Sequence, residues 1–348
     1  MSFRVIPESA PGAMRRAFAP AAFAATLLLA AAAAHAQGAT AAPADKLVIL
    51  STSDVKGKTM PCGCSTPKGG LSRRAGFADS LRRSNPNLLI VDSGGFFPGA
   101  QFERDDAPFM TEAMRDLGLA AAGLGDRELM FGRSFLLAAL ERTPVPVVCA
   151  NLWEKWEKPG TQPRRTLVKP WLVQKVGRHK VGLFGLINPQ AALGPSADSL
   201  ETSDPAEAAK RAIAELRKQG ADVVVLLSSL GKVETEDLVL AAPGIDVAIA
   251  GRNVPLLQRS REIDSTTVVF GGEQGQYVGL TELGFDARGR IVSRTSGAWM
   301  LGPDVADQPA MLAKVTAFEA QPSVKSRRTP VKPASAGTAD QPGAAHSH

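Results

Sequence analysis

The shortest spacing with chemical meaning in this chain is Pro61-Cys62-Gly63-Cys64. A glycine between two sulfurs gives the turn the backbone freedom that a small-ring disulfide or a chelate requires. Three arrangements are open. The pair can close a strained, easily reduced disulfide; it can offer thiolates to a soft metal or cofactor, completed by Cys149 or Asp54; or it can form an ordinary disulfide while Cys149 is a buried apolar residue. Cys149 stands two residues before Asn151, and no Cys-x-x-Cys-His occurs, so covalent haem attachment is not indicated. Histidine is scarce: His35, His179, His346 and His348 are the whole supply, and only His179 lies in the body, where its Lys-rich setting predicts an exposed surface residue.

A second set of reactive side chains sits in short polar segments that each follow an apolar run. They read Ser53-Asp54-Val55-Lys56-Gly57, Asp92-Ser93-Gly94-Gly95, Gly123-Leu124-Gly125-Asp126-Arg127-Glu128, Ala150-Asn151, Ser228-Ser229-Leu230-Gly231 and Gly251-Arg252-Asn253. Singly, such segments are turn and cap formers. Together they would place carboxylates and cations along one edge, because open α/β sheets bind ligands beyond the carboxyl ends of their strands.

The elements that would hold them alternate. Residues 47–50, 88–91, 145–148, 181–186, 223–227 and 247–250 are continuously apolar, as strands covered on both faces must be. Residues 71–81, 109–117, 135–140 and 206–216 carry one apolar face at helical spacing. From residue 267 to 293 the pattern changes to β runs broken by Gly272, Gly275 and the stretch 286–289, which predicts hairpin strands. The reading is α/β with added antiparallel strands.

In this order the segments resemble the calcineurin-like metallophosphoesterase superfamily, in particular the catalytic (N-terminal) domain of the 5′-nucleotidases, over about residues 47–320. The family's N-D-x-H-G, G-G-x-x-R, D-x-G-D, G-N-H-E, A-N, S-H-L-G and G-H-x-H are matched in order. Here they read Ser53-Asp54-Val55-Lys56-Gly57, Gly69-Gly70-Leu71-Ser72-Arg73, Asp92-Ser93-Gly94-Gly95, Gly125-Asp126-Arg127-Glu128, Ala150-Asn151, Ser228-Ser229-Leu230-Gly231 and Gly251-Arg252-Asn253-Val254. Gly271-Gly272-Glu273-Gln274-Gly275 and Val278-Gly279-Leu280 follow where the family has A-G-x-x-G and V-G-x-L. The resemblance implies a four-layer α/β/β/α sandwich. It also implies two metal ions, a metal-bound hydroxide that attacks phosphorus and a His that protonates the leaving group.

At the matching positions this chain keeps Asp54 and has Asn151. It places Lys56 for the first His, Gly95 for the bridging Asp, Asp126 for Asn, Arg127 for the catalytic His, Ser229 for a ligand His, and Arg252 and Val254 for the last two. Only Asp54 and Asp126 retain metal-binding chemistry, so a binuclear centre is not expected, and a soft metal at Cys62 and Cys64 is the remaining metal reading. Lys56, Arg127 and Arg252 put fixed positive charge where neutral ligands would surround a dication. They can pair with Asp54, Asp126 and Glu128 as a structural charge network, or bind a phosphate, sulfate or carboxylate group through Arg forks.

Composition frames these readings: 348 residues with 44% hydrophobic, 21% charged and 5% aromatic side chains exclude a disordered, fibrous or disulfide-framework protein. The net charge of +6 is concentrated in residues 1–36 and 321–348, leaving a nearly neutral body with no footprint for nucleic acid. Residues 14–36 have a cationic start, an Ala- and Leu-rich run and the small-x-small ending Ala34-His35-Ala36, the layout of a cleavable secretory signal. Arg15-Arg16 also fits a twin-arginine route. The expected organisation is a signal peptide at 1–36, a linker at 37–45, one metallophosphoesterase-like domain at 46–320 and a disordered Pro/Ala-rich tail at 321–348. The expected product is periplasmic, off the membrane once the signal is cleaved, with a small anion or a periplasmic protein as partner. It uses its Cys-x-Cys loop and cationic pocket for redox, metal or anion binding. The alternatives are a phosphomonoester or 5′-nucleotide hydrolase with an unorthodox site, and a scaffold subunit of a periplasmic complex.

Overall fold

The thirteen strands among the described residues are divided between two large sheets and one small pair, and the parity of their side chains dictates the layering. The computed structural model describes residues 45–155 and 165–328. The expected signal peptide, nearly all of the expected linker and the tail from residue 329 lie outside the described residues.

In chain order the strands are β1 (Asp45–Thr52), β2 (Leu88–Asp92), β3 (Ala121–Ala122), β4 (Leu152–Glu154), β5 (Trp171–Val176), β6 (His179–Ile187), β7 (Leu200–Thr202), β8 (Val223–Ser229), β9 (Val247–Ala250), β10 (Arg261–Ile263), β11 (Thr266–Phe270), β12 (Tyr277–Phe285) and β13 (Ile291–Met300). One sheet has the order β13-β12-β1-β2-β3 and the other β10-β11-β9-β8-β6-β5, while β4 and β7 pair apart. Along β8, Val223, Val225 and Leu227 enter the core between the sheets, whereas Val224 and Leu226 join the core under the helices on the outer face. Leu47 and Ile49 of β1 meet the former set, and Leu50 faces the other way. A strand that is apolar on both faces must be sandwiched, and the period of two makes each sheet a shared wall between two cores.

The outer layers are helical. On the first sheet lie α1 (Leu71–Ser84), α2 (Ala107–Asp116), the short α3 (Asp126–Leu129) and α4 (Arg133–Arg142); on the second lie α5 (Pro205–Lys218) and α6 (Lys232–Ala241). α1 buries Leu71, Ala75 and Ala78 at i, i+4 and i+7. α5 begins where Asp204 Oδ1 accepts the Glu207 N–H at 2.8 Å, with Pro205 at the first helical position. The expected α/β/β/α sandwich is the observed one.

Four expectations are corrected. Residues 145–148 form no strand: Val147 and Val148 make only isolated bridges, to Ala122 and Lys169, because Pro144 and Pro146 supply no N–H to a ladder. The domain does not end at 320. α7 (Pro309–Glu319) buries Met311, Val315 and Phe318 and stacks Phe318 on Phe109 at 3.9 Å; α8 (Pro322–Arg328) then buries Val324, while Arg327 and Arg328 reach the buried Asp106 carboxylate. One apolar contact and a cluster of ion pairs dock a segment whose composition reads as tail. At the other end, Asp45 belongs to β1 rather than to a linker, and its carboxylate lies 3.0 Å from His179 Nε2. His179 is not a surface residue: it is 2% exposed and its ring stacks on Phe285 at 4.0 Å.

Candidate functional site

β1, β2, β6, β8, β9 and β11 run parallel within their sheets, so their carboxyl ends share an edge and the loops that leave them are tied to one another. Asp54 N–H donates to Gly94 O at 3.0 Å, Lys56 N–H to Gly95 O at 2.8 Å and Gly57 N–H to Phe96 O at 3.0 Å, which zips the first loop to the second. Glu128, at the start of α3, is fully buried and accepts the N–H groups of Gly95, Phe97 and Gly125 at 2.9, 3.0 and 2.9 Å, fixing the second loop to the third. Asp54 completes the ring: its Oδ2 accepts the Asn253 N–H at 3.0 Å and its carbonyl accepts Gln274 N–H at 2.7 Å.

Of the six described non-glycine residues with positive φ, five stand on these loops: Asp54, Lys56, Arg252, Asn253 and Gln274. Each costs on the order of 1 kcal/mol against an ordinary backbone, and strain of this kind persists only where neighbouring contacts hold it.

The sequence-predicted residues separate clearly. Asp54, Lys56, Gly95, Asp126, Arg127, Ser229 and Arg252 come together on this edge. Lys56 Nζ donates to Asn253 Oδ1 at 2.8 Å and pairs with the Glu273 carboxylate. Arg252 Nε lies 3.5 Å from Asp126 Oδ1, an ion-pair separation at which neither atom has a hydrogen-bond partner. Arg127 lays its guanidinium over Gly99, where a β-carbon would come within 2.2 Å of it. Ser229 Oγ would stand 2.8 Å from a β-carbon at Gly125. Val254 is not part of the site: it is buried in the apolar core under α5 and α6. Asn151 is committed to structure, exchanging two hydrogen bonds with the Ile187 backbone at 2.8 and 2.9 Å.

Burial raises the Asp54 carboxyl above its ordinary range, against the pull of the Asn253 N–H and the charges of Lys56 and Arg127. Deeper in, burial pushes Asp92 up to about 7 while the Thr52 hydroxyl, the buried Arg74 and Gly94 N–H oppose it. Burial likewise raises Glu128. The expected pairing of the cations with Asp54, Asp126 and Glu128 is therefore met only by Arg252 with Asp126. Glu128 serves backbone N–H groups, and Lys56 chooses Glu273, a residue the motif reading quoted but gave no role. Ser93, likewise quoted in its motif without a role, is fully buried with an unpartnered hydroxyl beside Gly251. Nothing local marks either residue: the partner of Glu273 lies 217 residues away and Ser93 meets Gly251 across the fold.

The residues do not fit two metal ions. Gly95 has φ 77°, and a β-carbon there would lie 2.6 Å from Asp54 Oδ1, so a side chain at this position would have to displace the Asp54 carboxylate. Among the described residues no group of three or more His, Cys, Asp or Glu side chains could hold a metal ion.

The cysteines resolve into one arrangement. Cys62 and Cys64 form a disulfide, so their thiolates are not offered to a soft metal. Cys149 is buried in the core under α1, α2 and α4, and burial pushes its thiol up to about 12, which removes it from any redox or metal role with the pair. The disulfide borders a cavity of about 320 Å³ lined on one side by Cys62 and Gly63 and on the other by Gln274 and Gln276. Gln274 is the residue that reaches back to Asp54, so the two features are neighbours through one loop.

No protein-family model matches the chain. A snake venom 5′-nucleotidase of Naja atra is 24% identical over 304 residues, covering 79% of this chain and 57% of its own length. The 2′,3′-cyclic-nucleotide 2′-phosphodiesterase/3′-nucleotidase of Salmonella typhimurium is 26% identical, covering 80% of this chain and 48% of its own length. The chain thus spans about half the length of these curated relatives. Among solved structures, a 5′-nucleotidase precursor from Thermus thermophilus superposes with a TM-score of 0.69 at 25% identity, over 79% of this chain and 58% of its own. No helix among the described residues is long and apolar enough to cross a membrane. Sheet topology and these likenesses give the chain the calcineurin-like phosphoesterase fold and make it similar to the 5′-nucleotidases.

Proposed function

We propose that this is an exported, non-hydrolytic relative of the 5′-nucleotidases whose strand-end edge binds a small anion and whose Cys62–Cys64 disulfide works beside it as a redox group. The observation that carries the anion reading is the gathering of Lys56, Arg127 and Arg252 on the edge. Lys56 and Arg127 act on the Asp54 carboxyl, and Arg252 is held at 3.5 Å from Asp126 with its Nε lacking a hydrogen bond. Guanidinium groups match the oxygens of phosphate or sulfate. Export rests on residues 14–36, and the venom and precursor names of the relatives are in keeping with it.

The test is twofold. Purified protein supplied with manganese, zinc or magnesium should not turn over p-nitrophenyl phosphate or nucleoside monophosphates, since a missing metal site removes the nucleophile itself. Calorimetry should detect saturable binding of inorganic phosphate or sulfate. The second reading, an unorthodox phosphoester hydrolase, is favoured by the activities named for the relatives. Turnover that disappears in Asp54→Ala and Asp126→Ala proteins would establish it instead.

A further inference from the structure

The surroundings of the two sulfurs differ in three independent ways. Cys64 is exposed, whereas Cys62 is half-buried against the loop. Lys68 N–H donates to Cys62 Sγ at 3.3 Å, and the Cys62 N–H returns to Lys68 O at 2.9 Å, which pins that sulfur to a backbone donor. The Thr66 carbonyl oxygen, by contrast, lies 3.1 Å from Cys64 Sγ and 3.9 Å from Cys62 Sγ. A donor stabilises a thiolate, and a carbonyl oxygen opposes one while accepting from a thiol. Gly63 leaves the approach open, with nothing within 4 Å of where its β-carbon would be. Lys58, exposed and without an ion pair among the described residues, lines the cavity on the Cys62 side, which the mutually paired Glu319 and Arg328 also line.

Resting on the redox part of the function proposed above, we infer that Cys62–Cys64 is a polarised thiol–disulfide exchange site that takes electrons from an anionic thiol, entered at Cys64 and released at Cys62. The incoming thiolate bonds to Cys64 Sγ as the Sγ–Sγ bond breaks, and that bond's electron pair stays on Cys62 as a thiolate held by the Lys68 N–H. A second thiolate attacks the partner sulfur of the mixed disulfide and displaces Cys64, which takes up a proton and donates its S–H to Thr66 O. Two thiolates become one disulfide, and the protein pair gains two electrons and, at Cys64, one proton, Cys62 remaining the thiolate. Lys58, on the cavity that Cys62 and Gly63 border, attracts a carboxylate carried by the thiol. The same chemistry is offered by a small carboxylated thiol and by a protein dithiol with acidic neighbours.

The experiment mixes the whole mature protein separately with glutathione, with 2-mercaptoethanol at equal thiolate concentration, and with a reduced thioredoxin-type dithiol protein. Iodoacetamide quenches each reaction, and peptide mass spectrometry locates the labels. The expected result is the thiol adduct on Cys64 and the alkyl group on Cys62, in excess of the reverse pattern by about tenfold. Glutathione should outpace 2-mercaptoethanol severalfold, an advantage lost in Lys58→Ala, and trapping of the protein dithiol instead would identify a protein as the source. In the single-thiol proteins, Cys62 of Cys64→Ser should alkylate with a lower pH midpoint than Cys64 of Cys62→Ser. The reverse label, or equal labels, overturns the polarity while leaving the redox reading intact. A disulfide inert to all three thiols overturns the redox reading itself.

Discussion

The strand-end edge and the Cys62–Cys64 loop lie side by side and are built on opposite principles. On the edge, buried carboxylates collect backbone N–H groups from several loops at once, so strained residues are held by contacts from across the fold. The cysteine loop is exposed and held by a few backbone bonds, among them Cys62 N–H to Lys68 O and Leu71 N–H to Thr59 O, with a disulfide that spans only two positions. The difference teaches that the strained loops of the edge are held by polar contacts from across the fold, while the disulfide loop stands where little else depends on it.

Removing Glu128 is the strongest way to break this contrast. Glu128→Ala strands three buried N–H donors, each worth about 1–3 kcal/mol when orphaned. We expect a loss of at least about 3 kcal/mol in urea unfolding, or failure to fold. Cys64→Ser on the exposed loop should cost under about 1.5 kcal/mol beyond the loss of the crosslink itself, because little packs on it. Equal losses at the two sites would mean that the loop is as structural as the edge.

The next effect is on pH dependence. Burial raises Asp92 from an ordinary value of 3.8 to about 7, so the folded protein keeps a proton that the unfolded chain has released. The stability contributed by this protonation is fully present below about pH 4 and is lost as pH rises through about 7. Asp92→Asn keeps an acceptor for Gly94 N–H and contact with Thr52, so thermal unfolding between pH 4 and 7 should show a shallower slope than wild type. An unchanged slope would assign the dependence to Glu128 or Asp54. The cysteine loop offers no titrating acid to mimic this.

Metal uptake gives a smaller and sharper test. Arg127→His with Arg252→His adds two imidazoles to the edge, yet Gly95, Ser229 and Lys56 still leave the bridging and flanking ligands absent. Elemental analysis should find no stoichiometric pair of metals. Two bound ions would mean that the loops were matched to the wrong family positions.

Much of this was legible in the chain. Continuous apolar runs and the polar segments behind them predicted the sheets and the edge, because a doubly covered strand has no other pattern. What was not legible is non-local. Lys56 pairs with Glu273, 217 residues away, and His179 is buried only because β6 begins beside Asp45 and Phe285. The helix at 309–319 carries its own signal in Met311, Val315 and Phe318 at i, i+4 and i+7, just before the Pro-rich tail. α8 could not be foreseen from composition, since one valine and two arginines suffice to dock it only once Asp106, Glu103 and Glu319 are in place.

The smallest expected change in stability carries the anion reading. Arg252 and Asp126 are each a little over a quarter exposed, 28% and 29%, and stand 3.5 Å apart, so their attraction is screened by water. Arg252→Ala should shift the unfolding free energy by less than about 1 kcal/mol. If the pair were only structural, nothing further would change. If Arg252 offers its guanidinium to an anion, phosphate affinity should fall about tenfold, the loss of one charge-assisted hydrogen bond. Asp126→Asn should raise that affinity, because it removes a competing negative charge while keeping the side chain's size. Calorimetry on these two proteins therefore separates the readings by sign. Loss in the first with gain in the second places the anion beside Arg252, and unchanged affinity in both returns the pair to the scaffold.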